Sequence, residues 1–365
     1  MTGVQRSTTT RSDGSYVLPG LAPATYELSV RKIGFTPLQR EVTVQIGATQ
    51  IVQFTLQAGA VELQAVSVEA VPAVEMRTSE IATNVSQQQI QQLPSNSRNF
   101  LDLAVLAPGV TVTEDRINSG AGFRTFSAGT QGANSVNLFI EGASLKNDLT
   151  GGGVAGQDAS RGNPFPRNAI QEYRVVTQNF KAEYQKASSA IITATTRSGG
   201  NQWSGNAFVG YQNKGLLALD TFQIKDKHVA DSIGQATNKP STFQKPDYSR
   251  VLSGLAAGGP LIRNRLFFFG SYEGNYQNRA NQVNITPPIG FAALDTVNLA
   301  QFNGHITSPF RETLLFGKLN YSLGQHSSLE ASYNNRHETD VRDFGGQVAA
   351  QAAVNYLQDI GLGIV

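Results

Sequence analysis

Residues 202–213 have the sequence Gln-Trp-Ser-Gly-Asn-Ala-Phe-Val-Gly-Tyr-Gln-Asn. In a β-strand, successive side chains lie on opposite faces, so this stretch has one apolar and one more polar face. The apolar face has aromatic residues near both ends: Trp203, Gly205, Ala207, Val209 and Tyr211. The other face carries Ser204, Asn206, Phe208, Gly210 and Gln212. This split is expected when apolar side chains face lipid and polar ones face a wet lumen.

Four further stretches repeat the alternating, aromatic-rich pattern, at 248–258, 265–276, 313–323 and 328–340. The connections alternate between long segments (214–247 and 277–312) and short ones (259–264 and 324–327). Short turns on one side and long loops on the other are typical of an outer-membrane β-barrel. An ordinary soluble sheet with one wet face is the alternative, and the loop lengths favour the barrel. We therefore expect about five antiparallel barrel strands in residues 201–365.

Residues 1–59 have the pattern of a small β-sandwich. Turn residues at 13–15 and 19–23 separate short alternating stretches at 26–30, 41–44 and 51–56. Residues 8–11 also resemble a strand, but no partner precedes them. Five barrel strands cannot close, and an open edge in lipid leaves backbone groups unpaired. We therefore expect the chain to be truncated at both ends.

An extended connector is predicted at 60–83, and the sequence pattern of residues 84–200 then indicates a mixed α and β region. Residues 86–93 favour a short helix ended by Leu93-Pro94, and a second helix follows, with Ser97 as its N-cap and apolar residues at 100, 103 and 106. Strands are predicted at 136–140, 173–177 and 190–196, and a glycine-rich loop at 149–166. The fold class is therefore mainly β, with an α+β middle region.

The composition excludes whole classes of function. The chain has no cysteine, which removes disulfides, thiol catalysis and cysteine zinc sites. Its net charge is +2 and only 15% of residues are charged, so no strong field favours nucleic acid. No run approaches the 18 or so apolar residues of a membrane-spanning helix.

Ordered motifs in the chain resemble those of TonB-dependent receptors of Gram-negative outer membranes, of the Oar-like type. Leu93–Leu103 with Pro108-Gly109-Val110 is similar to the start of the receptors' plug domain, and Leu138–Gly142 to a plug strand that usually ends in Asp-Gly, with Glu141 as a departure. Ile170–Val175 with 190–201 resembles the end of the plug, and Gly258–Phe268 the first periplasmic turn. Residues 8–57 are similar to the end of a carboxypeptidase-regulatory-like domain.

The resemblance implies a plug domain at 84–200 held within the start of a transmembrane barrel at 201–365. It implies uptake of a ligand across the outer membrane, driven by a TonB-type periplasmic energy-transducing protein. The implied surroundings are outer-membrane lipid around the barrel and periplasm around the N-terminal domain. The ligand, whether siderophore, glycan, vitamin or peptide, stays open. No cofactor, metal, catalytic residue or nucleic-acid partner is implied.

Two groups of residues are candidates for functional contacts. Glu172, Arg174 and Arg197 lie on or beside predicted plug strands, where their charges can pair with the barrel wall or simply be solvated at a strand edge. The segment Val66, Ser67, Val68 and Glu69 lies in an extended connector with alternating apolar residues. Such a segment can add a strand to a partner's sheet and so contact TonB, or it can be the last strand of the sandwich.

Enzymatic and nucleotide-binding interpretations lack the residues that they need. The histidines are dispersed, at 228, 305, 326 and 337, without zinc-binding spacing. Gly151–Gly156 matches G-x-G-x-x-G, but no predicted strand precedes it and no helix follows. The remaining alternative is a secreted or surface β-sandwich protein that binds carbohydrate without transporting it, which the loop lengths after Asn201 disfavour.

Overall fold

The fold is mainly β, and it is known from a computed structural model. The structure describes residues 6–58, 79–95, 97–115, 123–129, 131, 135–146, 160–286, 298–324 and 327–365. Within these ranges the strands form four sheets. They group into an N-terminal region (6–58), a central unit (79–200) and a wall sheet (204–364).

The N-terminal region contains one antiparallel hairpin of β1 (Ala24–Val30) and β2 (Leu38–Val44). Alternate residues of β1 are exposed, as its period-2 pattern predicts. The strands predicted at 8–11 and 51–56 are not formed, although a single bridge joins Phe35 to Ala58. These two predictions were wrong because alternation alone does not supply a hydrogen-bonding neighbour.

The central unit is built on a five-stranded sheet in the order β3-β8-β9-β6-β7. Its strands are β3 (Ile81–Val85), β6 (Val136–Ile140), β7 (Ala143–Ser144), β8 (Ile170–Gln178) and β9 (Ala190–Thr196). A separate hairpin joins β4 (Val110–Asp115) to β5 (Phe123–Ala128). The strands predicted at 136–140, 173–177 and 190–196 are confirmed, and all except β6–β9 pair antiparallel.

Two helices precede the hairpin in the central unit. The first is α1 (Gln87–Gln92), where Ser86 and Gln89 form a capping box, and it confirms the predicted helix. The second is a 3₁₀ helix at Phe100–Leu106, and its N-cap is Asn99 rather than Ser97. A spacing of three between apolar residues suits a 3₁₀ helix with three residues per turn. The hydroxyl of Ser97 instead accepts from the Asn99 N–H and bonds to the carboxylate of Asp102.

The wall sheet contains six antiparallel strands that pair in chain order. The five predicted strands are confirmed. The first lies within its predicted bounds and the other four run past one predicted end, and a sixth strand, at Val354–Ile364, was not predicted. The strands are β10 (Ser204–Asn213), β11 (Tyr248–Ile262), β12 (Leu266–Val283), β13 (Gly304–Ser322), β14 (Ser328–Arg342) and β15 (Val354–Ile364). Among the described strands, the first and the last of this sheet do not pair with each other, so the sheet is not closed into a barrel.

The long loop after β10 contains a helix that the sequence analysis did not predict, α2 (Thr221–Thr237). Asp220 caps its N-terminus through a capping box with Gln223, and Asn238 ends it in the left-handed conformation. Neither α-helix in the described part of the chain is long and apolar enough to cross a membrane.

The wall sheet has an outer face exposed to the surroundings and an inner face against the central unit. Large apolar side chains on the outer face are exposed: Val209, Tyr211, Leu255, Leu315, Leu319, Tyr333 and Leu357. Wall residues Ala256, Phe269 and Phe316 belong to the same buried core as the central unit's Phe165. The ring centroids of Phe165 and Phe316 are 5.2 Å apart. The central unit is therefore packed directly on the inner face of the wall.

Candidate functional site

The interface between the central unit and the wall sheet contains buried charges at three places. At each place, a turn or loop of the central unit meets acidic or basic side chains on the inner faces of β12, β13 or β14. Because strand side chains alternate, inward-facing charges on one strand are separated by an even number of positions, as are Glu312 and Lys318 in β13 and Arg336 and Glu338 in β14. We call the three contact groups the Arg98, Glu141 and Arg161 sites.

The Arg98 site joins the segment before the 3₁₀ helix to β12. Arg98 donates through Nε and Nη2 to the two carboxylate oxygens of Glu273, each at 3.2 Å. The backbone N–H of Asn168 donates to the same carboxylate at 2.7 Å, and the side chain of Asn168 accepts from Arg98. The Arg98 guanidinium also lies 3.6 Å from the ring centroid of Phe208 in β10.

The backbone of Arg98 is in the left-handed region, with φ of 60°. A residue other than glycine is uncommon there, and such positions cluster where a side chain must be aimed at a functional contact. Glu273 is 4% exposed, so the forked donor pattern of Arg98 satisfies a carboxylate that water does not reach freely.

The Glu141 site joins the turn between β6 and β7 to β13. Lys318 lies 3.0 Å from the carboxylate of Glu141 and 2.6 Å from that of Glu330. The same Glu141 carboxylate accepts from the N–H and hydroxyl of Thr196 at 2.6 and 2.5 Å. Glu141 therefore connects the end of β9 to a wall lysine that is 4% exposed.

The departure from Asp-Gly at this turn has a structural consequence. Glu141 and Gly142 have φ values of 49° and 82°, as in a type I′ turn, which ordinarily favours Asn or Asp before Gly. Glutamate is less suited to this backbone, but it has one more methylene than aspartate. We attribute the glutamate to the reach that its carboxylate needs to contact Lys318.

The Arg161 site joins residues 160–163 to β13 and β14. Arg161 lies 2.8 Å from the carboxylate of Asp340 and donates to the Ser308 hydroxyl at 3.2 Å. The Ser160 hydroxyl donates to Glu338 at 2.6 Å, and Arg336 contacts both of these residues. Opposite charges thus meet in a region with very little solvent.

Gly162 allows the closest approach in this site. A Cβ added there would lie 2.1 Å from one oxygen of Glu312 and 2.6 Å from one oxygen of Glu338. The next residue, Asn163, donates its backbone N–H to Glu312 and its side-chain amide to the Ser97 carbonyl at 3.1 Å. A side chain at this position would therefore require the Glu312 and Glu338 carboxylates to shift.

Burial changes the electrostatics of the central-unit cations. It lowers the pKa of Arg161 to about 10, with a further lowering by the nearby Arg279 and an opposing effect of Asp340. Burial likewise lowers the pKa of Arg197, which lies 5.0 Å from the ring centroid of Phe269 in β12 and donates to the Asn168 carbonyl at 3.4 Å. With a pKa of about 10, the Arg161 guanidinium stays charged at neutral pH.

Two of the three predicted plug–barrel residues have other partners. The carboxylate of Glu172 accepts from the Ile46 N–H, and Arg174 forms an ion pair with Glu80 at 3.0 Å. These contacts run to the N-terminal region and to the start of the central unit, whereas Arg197 does contact the wall through Phe269. A plug–barrel role for Glu172 and Arg174 stays a prediction without support from these contacts. The predicted TonB-contact residues 66–69 lie outside the described residues.

The residues that do make the wall contacts were missed, although two lie in motifs quoted above. Arg98 belongs to the stretch Leu93–Leu103 and Glu141 to Leu138–Gly142. The available signal was a charge within an otherwise apolar or turn-forming motif, together with inward-facing charges on the wall strands. In the described part of the chain, no group of three or more potential ligands is placed to hold a metal.

Comparisons with known proteins agree with this architecture. Residues 195–336 match the family model of an outer membrane beta barrel domain, and residues 1–57 match that of a carboxypeptidase regulatory-like domain. The chain is 24% identical over 277 residues to the TonB-dependent transporter Oar of Myxococcus xanthus, covering 73% of this chain and 24% of the relative. It therefore spans about a quarter of the length of that curated relative.

One solved structure has a similar fold, and a second aligns more weakly. The outer membrane transporter YddB from Escherichia coli aligns with a TM-score of 0.52 and 11% identity, covering 76% of this chain and 35% of that one. The siderophore receptor PirA from Acinetobacter baumannii aligns with a TM-score of 0.44 and 15% identity, over 73% of this chain and 32% of that one. The alignment with YddB shows a likeness of fold alone, and the match of residues 195–336 to an outer membrane beta barrel domain indicates an outer-membrane location.

Proposed function

Since the chain is a homologue of a TonB-dependent outer-membrane transporter, we propose that it takes up a ligand across the outer membrane. Residues 84–200 of the central unit act as the plug, and the wall sheet is the first part of the barrel around it. We propose boundaries at 60–83 for the connector, 84–200 for the plug and 201–365 for the barrel. The N-terminal region then lies in the periplasm, on the side of the short wall turns.

The observation that carries this proposal is the contrast between the two faces of the wall sheet. Exposed Val209, Leu255 and Leu357 lie on the outer face, whereas the inner face meets the central unit through buried charges. A secreted binding protein has no need of an apolar outer face, and large exposed apolar patches otherwise promote association. Lipid outside and a docked plug inside account for both faces.

The buried contacts also suit a plug that must move. Ion pairs between two packed bodies are directional and cost desolvation energy, so they add less net stability than apolar contacts of the same area. Three such sites at Arg98, Glu141 and Arg161 hold the plug in one position and leave a polar surface that water can solvate when they separate. In this proposal, ligand binding and a pull from the periplasm together separate them.

The energy source is proposed to be a TonB-type protein that binds the connector, with Val66, Ser67, Val68 and Glu69 as the added strand. The chain has no cysteine, so single cysteines can be introduced at 66–69 and tested for disulfide formation with cysteine variants of the host's TonB protein in intact cells. We expect cross-links at alternate positions, because strand addition presents every second side chain to the partner.

A deletion of residues 63–70 provides the functional counterpart of this experiment. Deletion is expected to abolish uptake while leaving the protein in the outer membrane, as judged by fractionation. Persistence of uptake in the deletion variant, or cross-links at none of the four positions, would contradict TonB binding by this segment. Homologues of the chain are transporters and receptors, and no catalytic role is proposed.

A further inference from the structure

The N-terminal region contacts the central unit through a short turn that follows β2. This turn, residues Gln45–Gly47, is closed by a hydrogen bond from the Ala48 N–H to the Gln45 carbonyl at 3.2 Å. We call it the Gln45 turn. It lies against β8 at Glu172 and Arg174, which are two residues apart and therefore on the same face of that strand.

The contact uses both backbone polar groups of Ile46, its N–H and its carbonyl. The Ile46 N–H donates to the carboxylate of Glu172, and the Ile46 carbonyl accepts from Nη1 of Arg174 at 3.3 Å. The side-chain amide of Asn84 in β3 donates to the side chain of Gln45 at 3.1 Å. An acid and a base on β8 thus recognise the donor and the acceptor of Ile46, independently of its side chain.

Gly47 fits this contact in two ways. Its φ is +68°, a conformation that side-chain-bearing residues rarely adopt. A Cβ at this position would also lie 2.7 Å from Nη1 and 3.5 Å from Cδ of Arg174. By comparison, Gly34 in the turn before β2 has φ of +84° but no atom within 4 Å of an added Cβ. The requirement for glycine at 47 therefore includes the close approach to Arg174.

Arg174 connects this turn to the start of the central unit. Its Nη2 lies 3.0 Å from the carboxylate of Glu80, and both side chains are 8% exposed. Glu80 immediately precedes β3, which is the edge strand of the central sheet and pairs only with β8 among the described strands. One guanidinium therefore holds both the Gln45 turn and the residue at which the connector enters β3.

We propose that the Glu172–Arg174 pair is an intramolecular docking site for the Gln45 turn, through which the N-terminal region restrains edge strand β3. While the turn is docked, Arg174 is aimed at Glu80 and β3 stays paired with β8. Loss of the turn exposes both charges to water and weakens the hold on the first residues of β3. That a pull on the connector releases this restraint rests on the proposed function, but the docking itself does not.

The test is hydrogen–deuterium exchange of the whole protein in lipid nanodiscs, with no TonB protein present. Gly47→Ala is compared with its matched control Gly34→Ala, which introduces similar backbone strain in the same region away from Arg174. We expect peptides covering residues 79–85 to exchange about tenfold faster in Gly47→Ala than in wild type, because opening of an edge strand is a local event. Gly34→Ala is expected to match wild type in these peptides.

A second pair of variants covers the case in which Gly47→Ala unfolds the hairpin, which exchange in β1 and β2 would reveal. Glu172→Leu removes the acceptor for Ile46 at similar volume, and Glu183→Leu changes an exposed carboxylate of the same unit. Faster exchange of 79–85 in Glu172→Leu alone supports the docking site. Equal exchange in Glu172→Leu and Glu183→Leu, with β1 and β2 intact, would overturn it. Since no transport is measured, this result is independent of the proposed function.

Discussion

The Arg98 site offers the sharpest test of how the central unit is held, through the substitution Arg98→Gln. The substitution leaves the Glu273 carboxylate, which is 4% exposed, with the Asn168 N–H as its remaining partner in the site. Removing one member of a buried ion pair typically costs about 3–5 kcal/mol. The Arg98 side chain is 20% exposed, so water replaces part of the lost interaction. We therefore expect a loss of about 2–3 kcal/mol in the free energy that docks the central unit.

The assay is urea-induced release of the central unit in the whole protein, embedded in nanodiscs. A fluorophore on a cysteine introduced at the exposed Ala182 reports the release. The double variant Arg98→Gln with Glu273→Gln completes a double-mutant cycle that measures the interaction between the two side chains. The docking free energy that the double variant loses should be smaller than the sum of the losses in the two single variants. The control is Asp247→Asn, which removes an exposed ion pair with Lys214. We expect no measurable change there, because exposed pairs contribute little.

Two outcomes would refute this account of the Arg98 site. The first is a urea concentration at half-release that is the same in Arg98→Gln as in Asp247→Asn. The second is strict additivity in the cycle, since additivity means that the two side chains do not interact in the docked state.

Three further predictions concern the other contacts. Gly162→Ala is expected to cost about 1–3 kcal/mol in the same urea assay, because its Cβ would overlap the Glu312 carboxylate, whereas Gly317→Ala, which has open space around it, should cost much less. Glu141→Asp is expected to weaken docking even though aspartate suits the turn better, because the shorter side chain loses Lys318; a docking free energy equal to wild type would contradict this. Burial raises the pKa of the Glu172 carboxyl above its ordinary 4.5, and the hydrogen bond from the Ile46 N–H partly opposes this increase. Release of the N-terminal region should therefore become easier as the pH rises from 4.5 through the pKa that Glu172 has in the docked state. Fluorescence energy transfer between labels in the two regions measures this dependence, which should vanish in Glu172→Gln.

The sign of that pH effect follows from the direction of the shift. A raised pKa means that the docked state binds the proton of Glu172 more tightly than the released state does. Docking is therefore favoured at low pH, and the advantage is lost as the pH passes the pKa of the docked form. Arg174 and Glu80 are the other charged groups in this contact, and they pair with each other at 3.0 Å.

The fold was predictable where a local pattern has one physical solution. Alternating apolar and polar residues indicated the wall strands, because the inner and outer faces of the sheet require different side chains. The alternation of long and short connections between these stretches supported the same assignment. The stretch at 136–140 is almost continuously apolar, the stretch at 190–196 combines Ala and Ile with Thr, and both proved to be largely buried strands. The helix at Gln87–Gln92 followed from its composition and from the proline after Leu93.

Other elements depended on contacts that a local pattern does not contain. Val354–Ile364 is a strand because β14 supplies its hydrogen bonds, and residues 51–57 alternate in the same way without being assigned to a strand. Ser97 and Asn99 are both good N-caps, and the competition was decided by the bonds of Ser97 to Asp102 and to the Asn99 N–H.

The interface charges were the hardest to assign in advance. Glu172 and Arg174 have the sequence context expected of plug–barrel contacts, yet their side chains meet residues more than ninety positions upstream. Arg98 and Glu141 reach the wall because their backbones adopt positive φ, which a sequence does not display for residues other than glycine and asparagine. Long-range pairing of this kind requires the tertiary structure.

The most direct test of the central claim is a measurement of uptake that depends on both this protein and TonB. Wild-type cells, cells lacking the gene and cells lacking the TonB protein are grown in the same complex medium, and loss of small molecules from the medium is followed by mass spectrometry. We predict that at least one compound is depleted by wild-type cells only, and that restoring the gene restores its uptake. A compound that is taken up through this protein equally well without TonB would contradict the account.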